Sequence, residues 1–288
     1  MNLPSRSARA TSVGTPAPLT KSEFDWISRF LFERAGISLN NSKQALVMGR
    51  LDKRLRFRKL NNYSDYFKLL GAPGYEDETT MAIDLLTTNE TYFFRENKHF
   101  DFLSRQVFPQ HKEARPFRIW SAASSSGEEA YSIAMCAAEF FPTGNWEVLG
   151  TDISTRVVDK AKRALYPLAA SEKIPRAMLR KYCLKGRDEY TDFLLIDKAL
   201  RAKVNFRVAN LNQHLPDLGM FDVIFLRNVM IYFSHDTKQK LIQRLVELLR
   251  PGGYFMISHS ETLNGLDTPL IALSPSIYQY TQTQPGPR

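Results

Sequence analysis

From Phe117 onward the chain alternates short apolar runs with helix-patterned stretches, and this alternation restricts the fold more than any other feature. Residues 117–123 (FRIWSAA), 146–151 (WEVLGT), 204–208 (VNFRV), 221–226 (FDVIFL), 254–258 (YFMIS) and 277–282 (IYQYTQ) read as strands. Between them, Glu128 to Phe141, Ser154 to Leu165 and Thr237 to Leu249 carry apolar residues at helical spacing, and Pro251-Gly252-Gly253 reads as a turn. Strands alternating with helices predict an α/β fold: a mainly parallel sheet with helices on both faces. The stretch 182–203 breaks the rhythm, and Tyr190 to Ile196 predicts a small antiparallel β insertion there.

The N-terminal third has a different pattern. Thr20-Lys21-Ser22-Glu23 is a capping box, because the Thr hydroxyl and the Glu carboxylate each satisfy a backbone N–H at a helix start. Phe24, Ile27, Phe30 and Leu31 follow at helical spacing, and Gly36 ends that helix. Asn40 and Asn41 are candidate caps for a second helix running to about Lys59, with Leu46, Val47, Leu51 and Leu55 as its apolar stripe. Ser64 to Leu70 and Glu76 to Leu86 read as two more helices. The predicted organisation is a disordered tail over 1–19, an all-helical domain over 20–90 and the α/β domain over 91–288. The tail contains Pro4, Pro16 and Pro18 and no acid; the prolines argue against an amphipathic transit peptide.

Composition narrows the class. With 43% hydrophobic and 24% charged residues the chain is too apolar for wholesale disorder. It contains no 18-residue apolar run and no secretory apolar core at its start. Cys136 and Cys183 lie far apart, and the five histidines show no ligand spacing. No disulfide framework and no metal are expected, and the cytoplasm is the expected location. Thirty-nine basic against 30 acidic residues leave +9, which points to an acidic partner without naming its class.

In an open α/β sheet, ligands bind beyond the carboxyl ends of the strands. The first such loop, Ser121 to Gly127, is made of small residues, is not G-x-G-x-x-G and has no P-loop lysine. It is followed by Glu128 and Glu129, which would repel a diphosphate and tolerate a cationic ligand; complementing the helix dipole is the alternative role, equally weighted for Glu128. Asp152 stands where nucleoside-binding sheets hold ribose hydroxyls; alternatively it caps the next helix, a task Ser154 can perform instead. Together these residues fit a nucleoside cofactor without phosphates, and S-adenosylmethionine, with its sulfonium cation, is one. Asn210 and Leu211 follow the third strand, suited to an adenine edge and ring. Arg227 and Asn228 follow the fourth, where a buried charge needs a partner and a structural ion pair is the alternative.

These residues resemble the chemotaxis receptor methyltransferases of the CheR type. The resemblance rests on residues 86–95 (LTTNETYFFR), 120–132 (WSAASSSGEEAYS), Thr151-Asp152, 225–233 (FLRNVMIYF) and His259-Ser260-Glu261, and it runs from about residue 20 to 282. It implies a Rossmann-like S-adenosylmethionine-dependent methyltransferase sheet that methylates glutamate side chains of transmembrane chemoreceptors. It implies cofactor contacts from Asn89, Thr91, Arg95, Glu129, Asp152, Asn210, Leu211, Leu226, Arg227 and Asn228. The sequence departs from the pattern at Ser126 and Ala130, where the family usually has Thr and Pro. It departs again at 187–192 (RDEYTD), where members that tether to a receptor's C-terminal peptide carry glycines and this chain has only Gly186.

A glutamate carboxylate is already ionised near neutral pH, so methyl transfer to it needs no strong base; positioning and electrostatics are what the protein supplies. Arg95 is the candidate for orienting the acceptor and Tyr232 for hydrogen-bonding it, with rim packing the alternative for Tyr232. Arg50, Lys53, Arg54 and Arg58 form a one-signed face of the second helix, without i, i+4 partners of opposite charge, and are expected to dock the receptor's acidic cytoplasmic domain; a merely solvated face is the alternative. A monomer, no nucleic-acid partner and no membrane insertion are expected. The competing readings are a nucleic-acid methyltransferase, for which the D/N-P-P-Y/F tetrapeptide is absent, and a non-enzymatic cofactor-binding signalling module.

Overall fold

The computed structural model describes residues 16–281, so most of the expected tail (1–15) and Gln282 of the last expected strand lie outside the described residues. The expected tail is too long at its inner end: the Ala17 N–H donates to the Asn61 carbonyl at 2.9 Å, and Leu19 is buried in the helical core. The chain forms two compact units. One runs to Leu31 and resumes over Leu39–Leu86; the other holds Phe32–Ser38 and everything from Thr87.

The first unit is helical. α1 (Lys21–Ala35) starts at the capping box: the Thr20 N–H donates to Glu23 Oε2 at 2.9 Å and the Glu23 N–H to Thr20 Oγ1 at 3.3 Å. Gly36, at φ +72°, ends the helix. α2 (Gln44–Phe57) buries Val47, Leu51 and Leu55. Asn40 does not cap it; its Oδ1 accepts from Ser42 Oγ ahead of a 3₁₀ turn at Asn41–Lys43. α3 (Tyr63–Leu70) is capped by Asn62, whose side chain accepts the Asp65 N–H, and α4 (Glu76–Leu86) closes the unit.

In this unit the basic face of α2 departs from expectation. Glu78 of α4 is buried, yet it receives Arg54 Nε at 2.9 Å, Arg58 Nε at 2.7 Å and the Tyr66 hydroxyl at 2.8 Å. Burial alone would raise its pKa; these donors instead hold it at about 2. Arg50 donates to the Leu86 carbonyl at 3.0 Å. Arg54 and Arg58 are therefore not unpartnered charges, because α4 brings a carboxylate 20 to 24 residues away in sequence under them. Lys53 is exposed.

The second unit opens with Phe32–Ser38. Ile37 packs on the apolar cluster that holds Leu211 and Phe233, and the Ser38 N–H donates to the Tyr232 carbonyl at 2.9 Å. This segment was expected in the helical domain; those contacts place it here instead. The stretch 87–116, read only as a motif, contains α5 (Lys98–Phe102), which continues as a π turn (Leu103–Val107) and a 3₁₀ turn (Phe108–Gln110). Then come β1 (Phe117–Ser121), α6 (Glu128–Phe140), β2 (Trp146–Asp152) and α7 (Thr155–Arg163). Ala164, at φ +54°, ends α7 before the expected Leu165.

β3 (Leu165–Pro167), α8 (Arg176–Tyr182), β4 (Cys183–Lys185) and β5 (Phe193–Ile196) follow; the three strands make a separate antiparallel sheet in the order β3-β5-β4. The insertion thus begins at Leu165 rather than at 182; three-residue strands carry no period for sequence reading to detect. α9 (Lys198–Arg201), β6 (Val204–Val208), β7 (Phe221–Leu226), α10 (His235–Val246), β8 (Leu249–Ile257), β9 (Leu270–Ser274) and β10 (Ile277–Tyr280) complete the chain. The expected turn at Gly252 lies inside β8, where the pairing with β7 shifts register.

The main sheet runs β6-β2-β1-β7-β8-β10-β9, parallel through β8 and antiparallel at β10 and β9. Strand side chains alternate between faces. Ile119, Val223 and Phe225 join α6 and α7 in one core; Trp120, Ile224 and Leu226 join α10 in the other. The order of strand addition reverses at β1: β2 and β6 lie to one side and β7 and β8 to the other, and the gap between β1 and β7 is the switch point at which such sheets open a crevice.

Candidate active site

A half-open cleft of about 860 Å³, counting the space continuous with solvent, lies at that switch point. Four strand ends and two preceding segments, one at Ala35 and Ile37 and one from Thr87 to Arg95, wall it. The loop after β1 contributes Ala122, Ala123 and Ser125, and its shape is enforced. Gly127 sits at φ +95°, where a Cβ would lie 2.8 Å from that of Ala161. Ser125, at φ +47°, donates its N–H to Asp152 Oδ2 at 2.9 Å and its hydroxyl to the Asn89 carbonyl at 2.9 Å. At the end of β2, Asp152 also accepts the Ser154 N–H at 3.0 Å on Oδ1. Two backbone donors thus fix its carboxylate against the cleft, and Ser154 caps α7 by accepting the Val157 N–H.

The segment after Thr87 is anchored by burial of Phe93 and Phe94. Phe93 meets the Tyr166 ring edge-on at 5.0 Å, and the Phe94 N–H donates to Ser132 Oγ at 2.9 Å. Phe94 and Glu96 take φ near +55°, and the polar neighbours Asn89, Thr91 and Arg95 wall the cleft. Arg95 Nη1 donates to the Glu90 carbonyl at 2.8 Å and meets no carboxylate among the described residues.

The floor is a buried charge cluster. The Arg227 side chain is 1% exposed, with Nη1 2.8 Å from Glu129 Oε2 and Nη2 3.2 Å from Glu96 Oε2; Nη2 also donates to the Arg95 carbonyl. Ser121 Oγ donates to Glu129 Oε1 at 2.7 Å. Burial pushes the Glu129 carboxyl upward, opposed by Arg227 and the Ser121 hydroxyl. Arg227 is therefore both a cleft wall and an ion-paired group. Glu128 turns away: it accepts from Ser126 Oγ at 2.7 Å, and burial raises its pKa.

The turn after β7 is held from the far side. Glu261 accepts the N–H groups of Asn228 (3.0 Å), Met230 (2.8 Å) and Ser258 (3.0 Å), which allows Asn228 its φ of +58°. Asn228 and the half-buried Tyr232 both wall the cleft. Asn210 and Leu211 do so after β6, but the Asn210 amide is engaged with backbone: it donates to the Arg34 carbonyl at 2.6 Å and accepts the Asn212 N–H at 2.9 Å. Leu226 does not reach the cleft. As the last residue of β7 it points into the core beside α10, the face opposite Phe225.

Sequence reading missed the Glu96 and Glu261 roles, although both lie in the quoted motifs or directly beside them. It also missed that Glu96, His99 and His259 lie with ligand-type atoms within 4.8 Å of one another, a juxtaposition their spacing does not reveal. Burial, with Arg227 and His259 nearby, lowers the His99 pKa to about 3, so this imidazole is neutral.

A family model described as CheR methyltransferase, SAM binding domain, matches residues 89–278, and a second, CheR methyltransferase, all-alpha domain, matches 22–87. The chain belongs to the CheR methyltransferase family. It is 39% identical over 261 residues to chemotaxis protein methyltransferase 2 of Pseudomonas aeruginosa, covering 86% of this chain and 91% of that one. To the chemotaxis protein methyltransferases of Klebsiella aerogenes and Escherichia coli it is 35% identical over 272 and 263 residues; the matches cover 92% and 90% of this chain, and 91% of each relative. Like its CheR relatives, it is an S-adenosylmethionine-dependent methyltransferase of chemotaxis. The cleft suits that cofactor: Glu90, Glu129 and Asp152 against Arg95 and Arg227 in its wall sum to one formal negative charge, favourable to a sulfonium and unfavourable to a diphosphate. No helix among the described residues is long and apolar enough to cross a membrane.

Proposed function

We propose that the acceptor is the side-chain carboxylate of glutamates in the cytoplasmic domain of chemoreceptors, giving glutamate methyl esters and S-adenosylhomocysteine. One observation carries this: of the two arginines in the cleft wall, Arg227 is paired twice, and Arg95 is the cation left without a carboxylate among the described residues. An anionic acceptor supplies the missing partner. Among the described residues no His, Lys or Cys lines the cleft, in keeping with a nucleophile that needs no deprotonation.

In this reading Asp152 accepts the ribose hydroxyls, with Asn210 and Leu211 at the adenine. Asn89, Thr91, Arg95, Glu129, Arg227 and Asn228 hold the remainder of the cofactor. The cofactor contributes an electrophilic methyl group. Arg95 orients the incoming carboxylate, and the Tyr232 hydroxyl donates a hydrogen bond to it. The basic face of α2 (Arg50, Lys53, Arg54, Arg58) is the receptor-docking element; Lys53 is exposed, and Arg54, Arg58 and Glu78 together retain a net +1. The protein works as a monomer in the cytoplasm, without nucleic acid.

The test is transfer from tritiated S-adenosylmethionine to a purified chemoreceptor cytoplasmic fragment. Base-labile, volatile tritiated methanol is expected. A base-stable label on nucleic acid, or cofactor binding without transfer to any acceptor, would overturn the assignment in favour of the two competing readings.

A further inference from the structure

Tyr92 follows the cleft-lining Thr91, but the residue is 40% exposed, and two cations share its ring. Arg95 Cζ lies 5.7 Å and Lys173 Nζ 5.9 Å from the ring centroid. Lys173 is exposed and ends the short 3₁₀ helix Leu168–Lys173 of the antiparallel insertion. Neither cation has a carboxylate within ion-pair distance among the described residues, although Glu90 and Glu172 are close in sequence. Arg54, Arg58, Arg115, Arg118 and Arg227 all have one. An aromatic face under two cations restrains both while leaving their charge unneutralised.

We propose that Tyr92, Arg95 and Lys173 form a cationic lip that reads an acidic helical segment of the acceptor protein. This rests on the glutamate-acceptor reading above and adds a specificity rule to it. While one carboxylate enters the cleft beside Arg95, Lys173 holds a second on the same helix. Two cations, each within 6 Å of one ring centroid, are separated by no more than the rise of about two helical turns. The second carboxylate is therefore one or two turns from the methylated one.

The experiment uses the full chain and a receptor cytoplasmic fragment with one acceptor glutamate, together with a copy in which the glutamates one and two turns away are changed to glutamine. Lys173→Glu should raise KM for the fragment roughly three- to tenfold. It should leave kcat and the S-adenosylhomocysteine Kd unchanged, and Lys173→Arg should restore KM. The glutamine copy should show the same KM penalty on the wild type and little further penalty on Lys173→Glu. An unchanged KM in Lys173→Glu, or equal losses on both fragments, overturns the lip. If the wild type makes no methyl ester, the substrate reading is what fails. The lip is then judged by fluorescence anisotropy of a labelled helical peptide bearing glutamates two turns apart: binding weakened by Lys173→Glu upholds it, and binding indifferent to that change refutes it.

Discussion

Removing the Asp152 carboxylate has two separable consequences. It leaves the N–H groups of Ser125 and Ser154 without their acceptor, at 2.9 and 3.0 Å in the intact protein. A buried donor left unsatisfied costs about 1–3 kcal/mol, so with two of them Asp152→Ala should lose roughly 2–6 kcal/mol of stability through the loop alone. In the proposed site it also removes a charged acceptor for two ribose hydroxyls, about 1.5–3 kcal/mol, which is about ten- to a hundredfold in affinity. Asp152→Asn keeps the shape and one acceptor oxygen, and so spares more of the loop. Titration calorimetry with S-adenosylhomocysteine and its 2′-deoxy analogue separates the two effects. The deoxy analogue should bind the wild type at least tenfold more weakly, and the two ligands should bind Asp152→Ala nearly alike. If the deoxy penalty persists in full in both variants, the carboxylate holds only the loop and the ribose assignment is wrong.

Tyr232→Phe should lower kcat about ten- to a hundredfold with the S-adenosylhomocysteine Kd unchanged, whereas Arg95→Ala should damage kcat and KM together; full turnover in the Phe variant would reduce Tyr232 to rim packing. Glu78→Ala leaves Arg54, Arg58 and the Tyr66 hydroxyl without their shared acceptor and should cost about 3 kcal/mol in denaturant unfolding. Reversing Arg54 or Arg58 would likewise damage the fold, so Lys53→Glu is the clean probe of receptor docking: lower kcat/KM at an unchanged Tm. Stability should fall with acid through two groups of the same sign. The Glu78 carboxyl, held at about 2, contributes fully above its unfolded value near 4.3 and loses that contribution as pH drops through it toward 2. His99, kept neutral down to about 3, contributes fully above about 6.5 and loses it from there downward. A Tm flat between pH 6.5 and 4.5 would contradict the His99 effect and one flat between pH 4 and 2 the Glu78 effect, and His99→Gln should flatten the slope between pH 6 and 4.

The capping box at Thr20–Glu23, the stop at Gly36 and the strands at β1, β2, β6 and β7 were legible because each depends on neighbours within a few residues. So were Asp152, Asn210, Leu211, Arg227 and Asn228 of the cleft wall: in a parallel sheet, the position just past a strand is a place in space as well as in sequence. The resemblance carried by 86–95 extended that reading to Asn89, Thr91 and Arg95, and the place of Tyr232 just past the fourth strand offered it as an acceptor contact. The resemblance extended the reading one residue too far at Leu226, where strand alternation sends the side chain to the opposite core.

What stayed hidden depends on which distant segments meet. Arg227 is paired with Glu96 and Glu129, roughly a hundred residues or more earlier, and Arg54 and Arg58 share Glu78 on another helix. No spacing rule announces such pairs, because a charge run reads the same whether solvent or a buried carboxylate faces it. The three-residue strands of the insertion, the reassignment of Phe32–Ser38, and the meeting of Lys173 with Arg95 over Tyr92 have the same origin. Periodicity reports how a segment divides its residues between core and water. Which charge meets which is decided only when the packing of whole elements sets the distances, and electrostatic energy follows distance and burial rather than order along the chain.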